Sequence, residues 1–120
     1  MTRKKTFISI VDDGFYVEGT IKFSGELLIR GRVGGKVKGN TVTIAEEGAA
    51  SADMRVERLT IGGRFDGDVH ASVELVVLPT GRCDGRVQCP SLVVHEGGRL
   101  NADVRQLGRQ EAYREKRLSA

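Results

Sequence analysis

The chain has 120 residues, of which 39% are hydrophobic and 29% charged, with no tryptophan. This length predicts one globular domain. The net charge of +3 is uneven, because residues 14–104 hold 11 Lys or Arg against 12 Asp or Glu, whereas residues 105–120 hold five basic against two acidic side chains. A near-neutral body argues against a nucleic-acid surface, so no specific nucleic-acid partner is expected.

Residues 1–14 are predicted to form a flexible N-terminal tail. This segment places basic residues before apolar ones, a combination that predicts contact with an anionic membrane surface. The residues expected to make this contact are Arg3, Lys4, Lys5, Phe7, Ile8 and Ile10. An alternative is that residues 6–11 form a strand along the first repeat. The segment lacks the long apolar region of a signal peptide, so a cytoplasmic chain is expected, and the surface that it would contact is the cytoplasmic face of a membrane.

Residues 15–105 contain six copies of a five-residue unit of the form apolar-x-small-x-apolar. Their first positions are 16, 17, 15, 18 and 17 residues apart, at Val17, Val33, Ala50, Phe65, Cys83 and Leu100. Between successive copies stands an apolar pair at i and i+2, as in Leu27 and Ile29. A glycine precedes each of the last five copies by two residues. Two of these glycines belong to Gly62-Gly63 and Gly97-Gly98, which are interpreted as turns that need a positive φ.

Alternation with period two predicts short β-strands. A repeat of about 17 residues cannot bury its apolar face alone and must stack on the next repeat. The pattern therefore predicts an all-β, single-domain β-solenoid of about six coils. A β-sandwich is the alternative, but it does not require one motif to return six times in phase.

The repeat resembles that of the bactofilin family, a family of bacterial cytoskeletal proteins. The segments that carry the resemblance are residues 27–37, 59–69 and 75–87, and it covers about residues 15–105. It implies a right-handed triangular β-helix that polymerises end to end, without nucleotide, into filaments that are often membrane-associated. The third coil departs from the pattern at Ala50 and Ala52, where looser packing is expected.

No catalytic, cofactor-binding or metal-binding residue is predicted, and the chain is not expected to be an enzyme. His70 and His95 are expected at solvated turns, whereas a solenoid carbonic anhydrase needs three histidines on its metal. Asp66 and Asp68 are expected on a solvated strand face. Cys83 should point inward, and Cys89, before Pro90, should be more exposed.

The two ends of a solenoid expose strand edges and an apolar cross-section, which monomers usually cap. Residues 106–120 are predicted to form a flexible basic tail, which would cap the last coil poorly. The ends are therefore expected to pair with other copies of the chain. The expected polymerisation residues are Val17, Ile21 and Phe23 at the first coil, and Leu92, Val94, Leu100 and Val104 at the last. Expected partners are the chain itself, the inner membrane surface and unknown client proteins. The alternative function is a non-polymerising adaptor that binds another protein along one face.

Overall fold

The computed structural model describes residues 8–106, in which all regular secondary structure is β-strand. The ten strands are β1 (Ile8–Val11), β2 (Tyr16–Lys22), β3 (Glu26–Ile29), β4 (Arg32–Lys38), β5 (Thr41–Ile44), β6 (Ala49–Ile61), β7 (Arg64–Val77), β8 (Arg82–Cys89), β9 (Leu92–Val94) and β10 (Arg99–Gln106). Every pairing between them is parallel. No helix in this part of the chain is long and apolar enough to cross a membrane.

The strands form six stacked coils, each made of a short arm followed by a long arm. Coil 1 is β1 and β2, coil 2 is β3 and β4, and coil 6 is β9 and β10. The long strands β6 and β7 each pass from the long arm of one coil into the short arm of the next, which completes coils 3 to 5. The predicted β-solenoid is thus confirmed, and the β-sandwich alternative is wrong.

The register agrees with the repeat in the sequence. The first residues of the six five-residue units lie side by side in adjacent long arms: Val17, Val33, Ala50, Phe65, Cys83 and Leu100. Side chains at these positions point inward, and the residues described include no buried polar or charged side chain. Ala50 is 3% exposed and lies beside Phe65, the largest fully buried side chain, so a small residue adjoins a large one.

Glycines have two different roles in the coils. The central glycine of the unit, such as Gly67 (φ +130°), takes a positive φ within the long arm. The glycine that precedes each unit by two residues does not take a positive φ. At Gly63 a Cβ would fall well under 3.0 Å from the carbonyl oxygens of Ala45 and Gly48 in the coil below. The prediction of a positive φ was right for Gly97 but wrong for Gly62, Gly63 and Gly98. At these three positions, the close approach of the neighbouring coil leaves little room for a side chain.

The first strand lies inside the segment assigned to the N-terminal tail. β1 pairs with β3 along its whole length, and Val11 takes the position that Ile29 has in the next coil. Residues 1–7 and 107–120 lie outside the described residues. The predictions for Arg3, Lys4, Lys5 and Phe7, and for the C-terminal tail beyond Gln106, therefore concern residues that the structure does not describe.

Candidate functional site at the end coils

The solenoid has two ends at which the ladder of strands stops. Within residues 8–106, β1 and β2 pair only toward coil 2, and β9 and β10 pair only toward coil 5. A row of backbone N–H and C=O groups on each end coil thus has no partner strand in this part of the chain. Such edges are ready to pair with the strands of another copy.

The large apolar side chains that remain exposed are confined to the end coils in the described part of the chain. They are Ile10, Phe15 and Tyr16 in coil 1 and Val93, Val94 and Val104 in coil 6. Val94 and Val104 occupy inward positions, since the residues in register with them one coil earlier are Val77 and Val87. Val77 and Val87 are fully buried, whereas Val94 and Val104 are 41% and 40% exposed. These two side chains are exposed because no further coil covers them among the residues described.

The structure brings the predicted interface residues together in two groups. Val17, Ile21 and Phe23 lie at the coil 1 end and are half-buried, while Leu92 and Leu100 are half-buried at the coil 6 end beside the exposed Val94 and Val104. Whether these groups form a polymerisation interface remains a prediction.

Two exposed residues at the first coil, Phe15 and Tyr16, were not predicted from the sequence, whereas the exposed Ile10 was predicted only as a membrane contact. The first recognisable unit of the repeat is at Val17, because Ser9 stands in β1 where later coils have Leu27 or Val42. Val11, which is in register with Ile29 and Ile44, was the available signal for an extra strand.

A row of ion pairs links the turns of the first three coils. Arg30 of coil 2 donates a hydrogen bond from Nε to Oε1 of Glu47 in coil 3, at 2.8 Å, and its Nη1 lies 3.8 Å from Oδ1 of Asp12 in coil 1. This hydrogen bond lowers the pKa of Glu47 and raises the pKa of Arg30. Exposed pairs of this kind add little stability.

Residues considered for catalysis are dispersed along the solenoid. Asp66 and Asp68 are exposed, as predicted, and His95 lies in an exposed turn where its carbonyl accepts the N–H of Gly98. The turn position predicted for His70 was wrong, because β7 continues through it. In residues 8–106, no three His, Cys, Asp or Glu side chains are grouped so that they could hold a metal ion.

Both cysteines are fully buried. Burial raises the pKa of the Cys83 thiol to about 12, with a smaller contribution from the charge of Asp84. The expectation that Cys89 would be more exposed was wrong. Cys89 follows Gln88, which is in register with His70, so Cys89 lies beside the buried Ala71 and burial raises its pKa too. Neither thiol is therefore suited to act as a nucleophile.

The fold and its ends define a class of protein: a parallel β-solenoid with an apolar core and open, apolar terminal coils. Comparison with known proteins gives the family. Residues 9–105 match the bactofilin family model, described as polymer-forming cytoskeletal, and the chain belongs to the bactofilin family. Bactofilin BacO of Myxococcus xanthus (strain DK1622) is 23% identical over 97 residues, which cover 80% of this chain and 77% of that protein. No solved structure matches the chain with significance.

Proposed function

We propose that this bactofilin is a scaffold whose end coils stack on those of other copies, without nucleotide, to build a cytoskeletal filament. The observation that carries the proposal is the exposure of Val94 and Val104 at positions that are fully buried one coil earlier. Stacking another coil on this surface would give these side chains the environment that Val77 and Val87 already have. The proposal assigns no catalytic role to the chain.

The free energy gained by burying apolar side chains at such a junction is large enough to offset the cost of association. Full burial of one apolar side chain contributes roughly 1.5 to 3 kcal/mol, so seven half-exposed side chains contribute roughly 5 to 10 kcal/mol. Hydrogen bonds between the edge strands add about 0.5 to 1.5 kcal/mol each. Association costs roughly 4 to 15 kcal/mol, which these contributions can offset without hydrolysis of a nucleotide.

Two adjacent valines allow a matched test. Val93 and Val94 are 40% and 41% exposed, but Val94 points inward toward the junction while Val93 points outward, in register with the half-buried Val76. Val94→Arg should place an uncompensated cation in the junction and give short soluble species by size exclusion and negative-stain electron microscopy, with the circular dichroism of β-structure retained. Leu100→Arg should do the same. Val93→Arg should leave the filaments intact.

Filaments of normal length from both Val94→Arg and Leu100→Arg would refute this junction. Discrete particles from the unmodified chain at all concentrations would favour the adaptor alternative.

Membrane association is the second part of the proposal. The cations Arg3, Lys4 and Lys5 and the apolar Phe7 precede β1, and Ile10 within β1 is 56% exposed. Basic residues contribute about 1 kcal/mol each near an anionic leaflet, so one copy would bind weakly. A filament that carries many copies would bind by avidity, at the cytoplasmic face of the inner membrane. The filament would then recruit client proteins along its length.

A further inference from the structure

The outward side chains of the short arms form an uncharged row along the solenoid. In each short arm one outward residue lies between two inward positions, and these outward residues are in register from coil 1 to coil 6. The first and last of them are exposed and the other four are half-buried: Ile10, Leu28, Thr43, Thr60, Val76 and Val93. We call the surface that they form the short-arm face.

The outward rows of the long arms differ from this row because they carry charge. One of them holds Lys36, Asp53, Asp68, Arg86 and Asp103 in register. In the short arms, by contrast, residues 27–29, 75–77 and 92–94 are unbroken apolar runs. Parallel strands that are apolar on both faces are typical of sheets that are covered on both sides. The pattern therefore indicates that the short-arm face is covered in the assembled protein.

The short-arm face is regular enough to pack against another sheet. The pairing of the short arms is unbroken, since the one shift of register in β6 and β7 falls between Val56 and Arg58, before the short arm begins. Small residues follow the inward residue that ends the short arm in coils 3 and 4, namely Ala45 and Gly62. A second sheet with aligned strands could thus approach to the usual distance of about 10 Å.

The area of the face decides which kind of contact it can support. Five coils of four residues measure about 24 Å by 13 Å, or roughly 300 Å² on each copy. A stable interface between two separate proteins buries about 800 Å² on each partner. Two single copies would therefore separate, whereas two filaments would stay together because every subunit repeats the contact.

We propose that the short-arm face pairs filaments side by side, with each copy packed on a second copy that is turned end for end. The two-fold axis runs along β5, so Thr43 meets Thr43 of the second copy and the large Leu28 meets the smaller Thr60. The interface is thus the same surface on both copies. The inference rests on the filament of the proposed function, which supplies the repeated contact.

The charges that border the face favour this orientation. Glu26 in coil 2 and Arg58 in coil 4 are exposed at the same edge, with Thr41 of coil 3 between them. The axis exchanges coils 2 and 4, so Glu26 of each copy faces Arg58 of the other. At the opposite edge Arg30 faces the small Gly62. Two copies pointing in the same direction would instead place Arg58 opposite Gly62, without an acidic partner.

Other occupants fit the short-arm face less well. Asp12, Glu26 and Glu74 lie at its edges, and an anionic leaflet would repel these carboxylates. The outward row holds no aromatic residue or arginine, the residue types that most often anchor a single globular partner. Repetition along a filament removes the need for such an anchor.

The test measures pairing and polymerisation separately on filaments of the full chain. Negative-stain electron microscopy gives the filament length and the fraction of that length that lies in side-by-side pairs. Thr43→Lys places two ammonium groups opposite each other at the two-fold axis, and we expect it to reduce the paired fraction at least about tenfold. Its control, Ser51→Lys, makes the same change in charge on the long arm of the same coil and should stay within about twofold of the unmodified chain. Neither variant should shorten the filaments.

A charge exchange tests the orientation. Glu26→Arg alone and Arg58→Glu alone should each reduce the paired fraction, because each places like charges opposite one another across the interface. The double variant, Glu26→Arg with Arg58→Glu, should restore pairing because it exchanges the two signs.

Three results would overturn the inference: long single filaments from the unmodified chain, equal pairing in Thr43→Lys and Ser51→Lys, or no restoration of pairing in the double variant. Loss of pelleting with anionic liposomes in Thr43→Lys, with pairing unchanged, would assign the face to the membrane instead. Short particles in place of filaments would contradict the proposed function as well, so the failure of polymerisation is distinguishable from the failure of pairing.

Discussion

The adjacent glycines Gly62 and Gly63 provide the sharpest test of how the coils stack. They form one buried two-residue turn, and neither has a positive φ, so alanine strains the backbone at neither position. At Gly63 a Cβ would strike the carbonyl oxygens of Ala45 and Gly48 and lie 3.1 Å from Cγ2 of Ile44. At Gly62 it would lie 3.0 Å from the carbonyl oxygen of Ile44, with the flexible Leu78 side chain as its next neighbour.

The structure gives a magnitude for each change. To admit Gly63→Ala, coils 3 and 4 must separate locally, which breaks the hydrogen bonds from Gly62 N to Ile44 O (2.7 Å) and from Arg64 N to Gly48 O (3.1 Å). Two such bonds contribute about 1 kcal/mol each and overpacking costs about 1 to 3 kcal/mol, so we expect a loss of about 3 to 5 kcal/mol. Gly62→Ala should cost no more than about 1 kcal/mol, since alanine also restricts the unfolded chain.

Thermal denaturation followed by far-UV circular dichroism measures the stability of both variants. They are compared at one protein concentration, so that polymerisation contributes equally to each. The melting temperature should fall by more than about 10 °C for Gly63→Ala and by a few degrees at most for Gly62→Ala. Equal destabilisation would show that the glycine of the repeat is not selected by contact between coils.

Three further predictions concern packing, thiols and the membrane. Gly39→Ala should displace the Phe23 ring and cost about 1 to 2 kcal/mol, but much less in the Phe23→Ala background; additive losses would contradict the contact. Cys83 and Cys89 should resist Ellman's reagent in the folded chain and both react in guanidinium, because burial raises the pKa of each thiol. Because the pKa of Cys83 is raised in the folded chain, its contribution to stability should be present below about pH 9 and be lost as the pH rises toward about 12. Denaturation curves recorded across that pH range measure this loss, and Cys83→Val should make the free energy of unfolding depend less on pH. Removal of residues 1–7, which leaves β1 intact, should reduce pelleting with anionic liposomes, and equal pelleting would exclude that segment as the membrane contact.

Much of the fold could be predicted from the sequence because a solenoid repeats the same strand-and-turn unit in every coil. The spacing of the five-residue units gave the register of the long arms residue by residue, including the alignment of Ala50 with Phe65. The first strand was harder to predict, because Ser9 interrupts the apolar pair that marks the other short arms. The role of Gly63 also could not be read from the chain, since a positive φ and a close approach between coils both select glycine.

The sequence predicts where the open ends of the solenoid lie, but it does not identify all of the exposed apolar residues at those ends. Val94 and Val104 followed from the repeat, because an inward position in the last coil has nothing above it. Phe15 lies just before β2, and Tyr16 is the first residue of β2, in register with Arg32, so neither takes an inward position of the repeat and neither gave a periodic signal.

X-ray fibre diffraction from oriented filaments tests the central claim most directly, because end-to-end stacking makes the filament axis parallel to the solenoid axis. Six coils at about 4.8 Å per rung should then give a subunit repeat of about 29 Å and a strong meridional reflection near 4.8 Å. A 4.8 Å reflection on the equator, or a subunit repeat unrelated to six rungs, would show that the filaments are not built by stacking the end coils.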